Sequence, residues 1–352
     1  MKIAVYAIAK NEAQFVDRFM QSVEGADYVV VADTGSSDDT IGKLAGWGAR
    51  VYPICISPWR FDLARNACLA LVPADADVCI SLDMDEVLAE GWREEIERLF
   101  KDDVTRLRYL FDYGEGIIFY HEKIHSRHGY RWHHACHERP EPYGDKPEVW
   151  ANSEKMLSMH FPDPNKSRGF YLPLLAMSVK EDPNCPRNAF YYARELYFNG
   201  MNEPAIAEIA RYLALPGASW QYERSYAYRI AAKCFLAIGA ADQAKAHLLL
   251  AAAEAPDTRE PWCDLALLAH DQAQWAECFA YASRALSITA PLMIYTRDPA
   301  AWGHCAHDLL SIAAYHLGLN DLALQQAAIA VSHSPDDPRL QANLELLEKL
   351  RR

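Results

Sequence analysis

Residues 78–86 read Val78-Cys79-Ile80-Ser81-Leu82-Asp83-Met84-Asp85-Glu86, a short apolar run that breaks into acid. A run of this length, bounded by polar turn residues, reads as a buried strand. Carboxylates at i and i+2 leave a strand on the same side. Asp83 and Asp85, so placed, can hold a hard cation such as Mg²⁺ or Mn²⁺, with positions left for diphosphate oxygens. Such a cation neutralises charge on a departing diphosphate. A solvated acidic turn is the competing reading, and the surrounding chain has to decide.

Upstream, strand and helix signals alternate. Residues 3–8, 28–32 and 50–54 are short apolar runs suited to strands, and residues 40–47 and 61–71 suit helices. Residues 11–23 place Phe15, Val16, Phe19 and Val23 at helical spacing, and Gly48 stops the helix that begins near Thr40. This rhythm predicts βαβ units and a mostly parallel sheet. In such sheets ligands gather beyond the carboxyl ends of the strands. That rule selects residues 9–12, 33–39 and 83–86, three polar stretches of which two are acidic.

Downstream the pattern loosens. Residues 102–165 are dense in aromatics (Tyr109, Phe111, Tyr113, Phe119, Tyr120, Tyr130, Trp132) and then in His133, His134 and His137. Long irregular segments of this kind on an α/β core form binding loops. After Pro173 alanine-rich amphipathic helices take over and no strand is expected. Gly200 precedes Ala205, Gly239 precedes Ala244 and Gly318 precedes Ala323, and each helix that follows runs to a proline, Pro216, Pro256 or Pro335. Asp271 and Ala276 repeat the theme more weakly, and an insertion falls near residues 291–302. Degenerate helix–turn–helix repeats that bury their apolar faces by stacking are the prediction. The expected division is 1–168 for the α/β domain and 169–352 for the all-α domain.

The 352 residues are ample for two cores, and 51% hydrophobic with 24% charged residues is a globular composition. A net charge of −13 argues against nucleic-acid binding and against an anionic membrane face. The opening apolar stretch is too short for a secretory signal, and no stretch suits a transmembrane segment. A cytoplasmic location is therefore expected. Nine scattered cysteines, none in a CxxC, fit reduced core thiols.

The ordered stretches AIAKNE, VVVADTGSSDDT, FDLARNACLA and ISLDMDEVL resemble the family-2 glycosyltransferases of GT-A fold over roughly residues 1–90. Weaker matches follow at YRWHHACHE and SMHFPD, and the whole arrangement looks like the subgroup with a tetratricopeptide (TPR) tail. The resemblance implies an α/β nucleotide-sugar-binding domain followed by TPR-like repeats. It implies inverting transfer of a sugar from a nucleotide-diphosphate donor, with Mn²⁺ or Mg²⁺ as cofactor. Ala9, Lys10, Asn11 and Glu12 would open the base and ribose pocket, and Asp33 would face the base. A carboxylate there suits the ring N–H of uracil or guanine, so a UDP-sugar is favoured over a GDP-sugar. Many members carry a second Asp where this chain has Thr34. Arg65 would contact the diphosphate or base, although it could also pair with Asp62. Asp83 and Met84 would touch the donor, with Asp83, Asp85 and His160 as metal ligands. Glu138 would be the general base, with His137 second.

Alternatives stand beside each role. Asp33 and Asp38 could form Asx turns or cap the next helix. His133, Cys136 and His137 could bind zinc if their segment were helical. The repeats could recognise a protein or glycan acceptor, make a homodimer, or brace the enzyme. A non-catalytic nucleotide-binding scaffold is the main competing class, against which the acidic pair and Arg65 speak. Nucleotidyl transfer would need a glycine-rich phosphate loop that AIAKNE lacks.

Overall fold

The computed structural model describes residues 1–101, 103–164 and 169–351, the side chain of Arg351 excepted. The chain forms two compact units, Met1–Pro183 and Asn184–Arg352. Among the described residues no helix is long and apolar enough to cross a membrane.

The first unit opens as βαβ units: β1 (Ile3–Ala9), α1 (Val16–Ser22), β2 (Tyr28–Asp33), α2 (Thr40–Gly46), β3 (Arg50–Pro53), α3 (Phe61–Leu71) and β4 (Val78–Ser81). Next come β5 (Glu86–Leu88), α4 (Trp92–Leu99), β6 (Arg106–Asp112), β7 (Ile118–Ser126), β8 (Tyr130–His133), β9 (Arg139–Pro142), β10 (Trp150–His160) and α5 (Tyr171–Glu181). Eight strands make one sheet in the order β3-β2-β1-β4-β7-β6-β10-β5, while β8 and β9 pair separately. β1 lies parallel between β2 and β4, whereas β7 runs antiparallel to both β4 and β6.

Period-two alternation in β1 divides its side chains between two cores. Ile3, Val5 and Ala7 join Val16 and Phe19 of α1, Leu44 of α2 and Ile96 of α4. Ala4 and Tyr6 face Cys68 and Leu69 of α3 and Trp132 of β8. Tyr6 makes this second core partly polar: its hydroxyl accepts from Trp132 Nε1 at 2.7 Å and lies 2.8 Å from His125 Nε2. His125 Nδ1 lies 2.8 Å from the Ser126 carbonyl. One neutral tautomer satisfies both bonds: Nδ1–H donates to the carbonyl and Nε2 accepts from Tyr6. Burial pushes the His125 pKa down to about 4. Its imidazole therefore charges in the unfolded chain first, and stability is lost as pH falls through about 6.5 towards about 4. His125→Gln should lose less unfolding free energy than the parent between those two pH values. The parent's extra slope should approach about 1.4 kcal/mol per pH unit. Equal slopes in denaturant titrations at both pH values would refute this.

Three expectations change here. The first helix starts at Val16, not at residue 11, because Asn11 takes a left-handed backbone (φ 57°) in a turn. The described residues of the 102–165 stretch are largely strand, not irregular loop. Polar Tyr120, His121, Glu122 and Lys123 are half-buried in the middle of β7, so no apolar alternation announces it. The units divide after Pro183, which leaves α5 in the first: Tyr171 packs on Phe61 and Glu181 pairs with Arg60.

The second unit is helical: α6 (Pro186–Phe198), α7 (Asn202–Ala214), α8 (Gln221–Ala237), α9 (Ala241–Glu254), α10 (Glu260–Asp271), α11 (Trp275–Leu286), α12 (Cys305–His316), α13 (Asn320–His333) and α14 (Pro338–Arg351). A 3₁₀ turn, Pro299–Trp302, precedes α12. The helices pair as hairpins α6/α7, α8/α9, α10/α11 and α12/α13. Gly200, Gly239 and Gly318 take φ of 72°, 78° and 77° in the hairpin turns, where a residue with a Cβ is strained. Ala205, Ala244 and Ala323 are fully buried in the second helix of their hairpins. The third hairpin shifts the expected register. Its turn residue is Ala273 (φ 54°) rather than Asp271, and its buried small residue is Cys278 rather than the exposed Ala276. Alanine in a left-handed position hid the repeat.

Candidate active site

The carboxyl ends of β1, β2 and β4 lie side by side, and each delivers one polar loop. After β1, the Asn11 amide N–H donates to Ser36 Oγ at 2.9 Å, and its side-chain Oδ1 accepts from the Ser37 N–H at 2.7 Å. Glu12 N donates to Thr40 Oγ1 at 2.8 Å and Ala13 N to Asp38 at 3.1 Å. Lys10 is exposed, and Ala9 is buried. The loops after β1 and β2 are thus one stitched unit. Asp33 is buried and accepts from the N–H groups of Gly35 (2.9 Å) and Ser36 (3.0 Å) and from Ser36 Oγ. The Asx turn weighed in the sequence is therefore present.

The loop after β4 departs from expectation. Glu86 N bonds back to the Asp83 carbonyl at 2.9 Å, so residues 83–86 form a turn instead of continuing the strand. The two acids consequently go separate ways. Asp83 accepts from Arg65 Nη2 at 2.7 Å and from Lys123 Nζ at 2.8 Å. Asp85 lies 3.5 Å from His160 Nε2, and His160 stacks on Tyr113 with ring centroids 5.1 Å apart. His160 Nδ1 is buried without a partner among the described residues. Met84, expected at the donor, buries its side chain in the core shared by Ile80 and Leu82, leaving only its main chain for a ligand.

Arg65 organises the remainder. Its guanidinium is 5% exposed and donates to Asp83, to Ser81 Oγ at 3.1 Å and through Nε to Glu138, with Trp132 stacked 4.8 Å away. It does not pair with Asp62, which is taken by Arg60. Burial works against its charge, but Asp83 and Glu138 outweigh it and hold the guanidinium firmly protonated. Lys123 bridges Asp83 and Glu86 at 2.8 Å each. Two cations thus face three acids, Asp83, Glu86 and Glu138. Burial pushes the Glu86 pKa up to about 7, with Lys123 opposing and Asp83 adding to the shift. Sequence reading missed Lys123 and Glu86. Glu86 stood one residue past the acidic pair and could have been suspected, whereas Lys123 meets it only through the β4–β7 pairing.

Residues 134–138 are turn, not helix, with His134 and His137 at φ 76° and 53°. The i, i+4 helical face that a zinc site would need therefore does not exist. His137 packs edge-on against Tyr171 at 5.9 Å. Glu138 has its Oε1 on Arg65, leaving Oε2 without a partner among the described residues. Among those residues, too, no group of three or more His, Cys, Asp or Glu is preassembled for a metal.

No family model matches the chain. Its N-terminal part is similar to an uncharacterized glycosyltransferase of Rickettsia bellii, 33% identical over 110 residues, 31% of this chain and 36% of the relative. It is also similar to the lipopolysaccharide core biosynthesis glycosyltransferase LpsC of Rhizobium meliloti, 29% identical over 126 residues, 32% of this chain and 45% of LpsC. The chain thus spans less than half the length of these relatives. Among solved structures, the TPR protein YrrB aligns with 50% of this chain and 83% of its own, at 16% identity and a TM-score of 0.41.

Proposed function

We propose that the first unit transfers a sugar from a nucleotide-diphosphate donor to an acceptor hydroxyl, with inversion at the anomeric carbon. One observation carries the reading: the adjacent, parallel carboxyl ends of β1, β2 and β4 deliver the stitched Asn11 and Asp33 loops and the acids Asp83 and Asp85, which pair with Arg65 of α3 and His160 of β10. Similarity to glycosyltransferases in the same part of the chain supports it.

Asp33 spends three bonds on its own loop. A carboxylate has about four lone-pair sites, so one is left for the single imide N–H of uracil. That favours a UDP-sugar. Asp85 and His160 would hold a hard cation, Mn²⁺ or Mg²⁺. When bound, it supplies Lewis-acid stabilisation of the leaving diphosphate. Asp83 is neutralised by Arg65 and Lys123 and serves to position them. Glu138, oriented by Arg65 through Oε1, takes the acceptor's proton on Oε2 as the new glycosidic bond forms. LpsC acts in lipopolysaccharide core biosynthesis, and by that similarity a glycan is our choice of acceptor.

Asp85→Ala tests the donor site. UDP with Mn²⁺ should raise the melting temperature of the parent, and at 100-fold over Kd the gain is about 2.7 kcal/mol. The variant should bind UDP–Mn²⁺ at least ten-fold more weakly, with its ligand-free melting temperature unchanged. Equal stabilisation of both chains, or undiminished stabilisation in EDTA, would reject the metal assignment.

A further inference from the structure

Phe61 and Arg65 stand four residues apart on α3, so their side chains share one face of that helix. Arg65 reaches Glu138, and Phe61 opens a run of rings beside the same acid. The Phe61 N–H donates to the Ala135 carbonyl at 3.0 Å. Asn66 bonds the carbonyl and the N–H of Trp132 at 2.8 and 2.9 Å. These bonds fix the start of α3 against the turn that carries His137 and Glu138. Trp59 meets the Phe61 ring edge-on at 5.3 Å, and Phe170 and Tyr171 meet it at 5.9 and 6.1 Å. Tyr171 in turn meets His137, the neighbour of Glu138, at 5.9 Å. Arg60, between Trp59 and Phe61, is held by Asp62 and Glu181 and so pins this stretch.

The wall built from these rings is not sealed. Phe170 is 40% exposed, and Trp59, Phe61 and Tyr171 are half-buried. A pyranose is amphipathic: hydroxyls line its rim, and its faces carry positively polarised C–H groups that suit the electron-rich face of an aromatic ring. Ligand sites combine such apolar lining with a few polar groups that orient the ligand. Here the polar group is Glu138, whose side chain is 9% exposed and whose Oε2 has no partner among the described residues. A sugar hydroxyl donates to that oxygen. An acyl chain brings no donor and would leave the carboxylate buried without one.

We propose that Trp59, Phe61, Phe170 and Tyr171 form the acceptor platform, on which a pyranose ring of the acceptor stacks with one hydroxyl turned to Glu138. This rests on the transfer proposed above and narrows it: the accepting group is a sugar ring, not a lipid chain. Stacking fixes the plane of the ring and the bond to Glu138 fixes its rotation, so the wall selects which hydroxyl is presented. Trp59 and Phe170, on either side of Phe61, are its specificity-determining residues.

The test is saturation-transfer NMR on the full chain in the presence of UDP and Mn²⁺. The probes are methyl β-D-glucopyranoside, methyl β-D-galactopyranoside and methyl α-D-mannopyranoside, with open-chain sorbitol as the control. At least one pyranoside should take up saturation mainly on the ring protons of one face, and sorbitol should not. Trp59→Ala and Phe170→Ala should each cut that uptake about five-fold, the loss expected of one ring face. UDP affinity should stay within about two-fold in both. Circular dichroism establishes folding, and Phe170→Ala, at an exposed position, decides the matter if Trp59→Ala does not fold. Three silent pyranosides, uptake unchanged in the folded variants, or equal uptake by sorbitol overturns the proposal and leaves the rings a packing cluster. The UDP–Mn²⁺ shift in melting temperature, read on the same samples, separates this platform from the donor site. Pyranosides that bind in this way where UDP does not would keep the platform and reject the donor site. UDP that binds where no pyranoside does would reject the platform alone.

Discussion

Arg65→Met is expected to destabilise the first unit by about 3–5 kcal/mol, the usual consequence of removing one partner from a buried ion pair. The guanidinium is 5% exposed and satisfies Asp83, Glu138 and Ser81 at once. Without it Asp83 keeps Lys123, but Glu138 loses its cation in a largely buried position. Arg65→Lys keeps the charge and still loses much of this stability, because an ammonium cannot span three acceptors as a planar fork does. Denaturant unfolding of the three chains at pH 7 decides the matter. A loss below about 1 kcal/mol in Arg65→Met would mean that the network is not what holds α3 to β4.

The second large effect concerns turnover. Glu138→Gln keeps the shape and can still accept from Arg65 Nε through its amide oxygen. It removes the group proposed to take the acceptor's proton, so kcat should fall by ~10²–10⁴-fold. Donor affinity, read by UDP titration on the same samples, should stay within about two-fold, less than 0.5 kcal/mol. Normal turnover would move the base elsewhere, with His137 next in line. Loss of UDP binding with little change in kcat would instead make Glu138 a binding residue.

Much of this protein was legible in order along the chain. The run that ends in Asp83 and Asp85 and the first run of the chain read as strands because burial on both faces keeps them almost wholly apolar, Ser81 excepted. Gly200, Gly239 and Gly318 announced the hairpin turns because a left-handed helix end favours glycine strongly over residues that carry a Cβ. Local rules of this kind act between near neighbours, so a single sequence carries them.

What failed to show was of another kind. Ala273 occupies a glycine position, a local exception that tertiary packing overrides. β7 hides behind Tyr120, His121, Glu122 and Lys123, because a strand whose polar residues are half-buried loses its period-two signature. Asp83 and Asp85 stood together in sequence, yet a turn bond from Glu86 to Asp83 sends them to different partners. By itself, the sequence determined the elements as far as β4, the α/β-then-helical order and the loops that carry the acids. Only the tertiary structure decided that Arg65 and Lys123, far apart in the chain, share the charge of Asp83, Glu86 and Glu138. The reason is physical: a buried ion pair is chosen by strand pairing and desolvation across the sheet, and neither leaves a periodic trace along the chain.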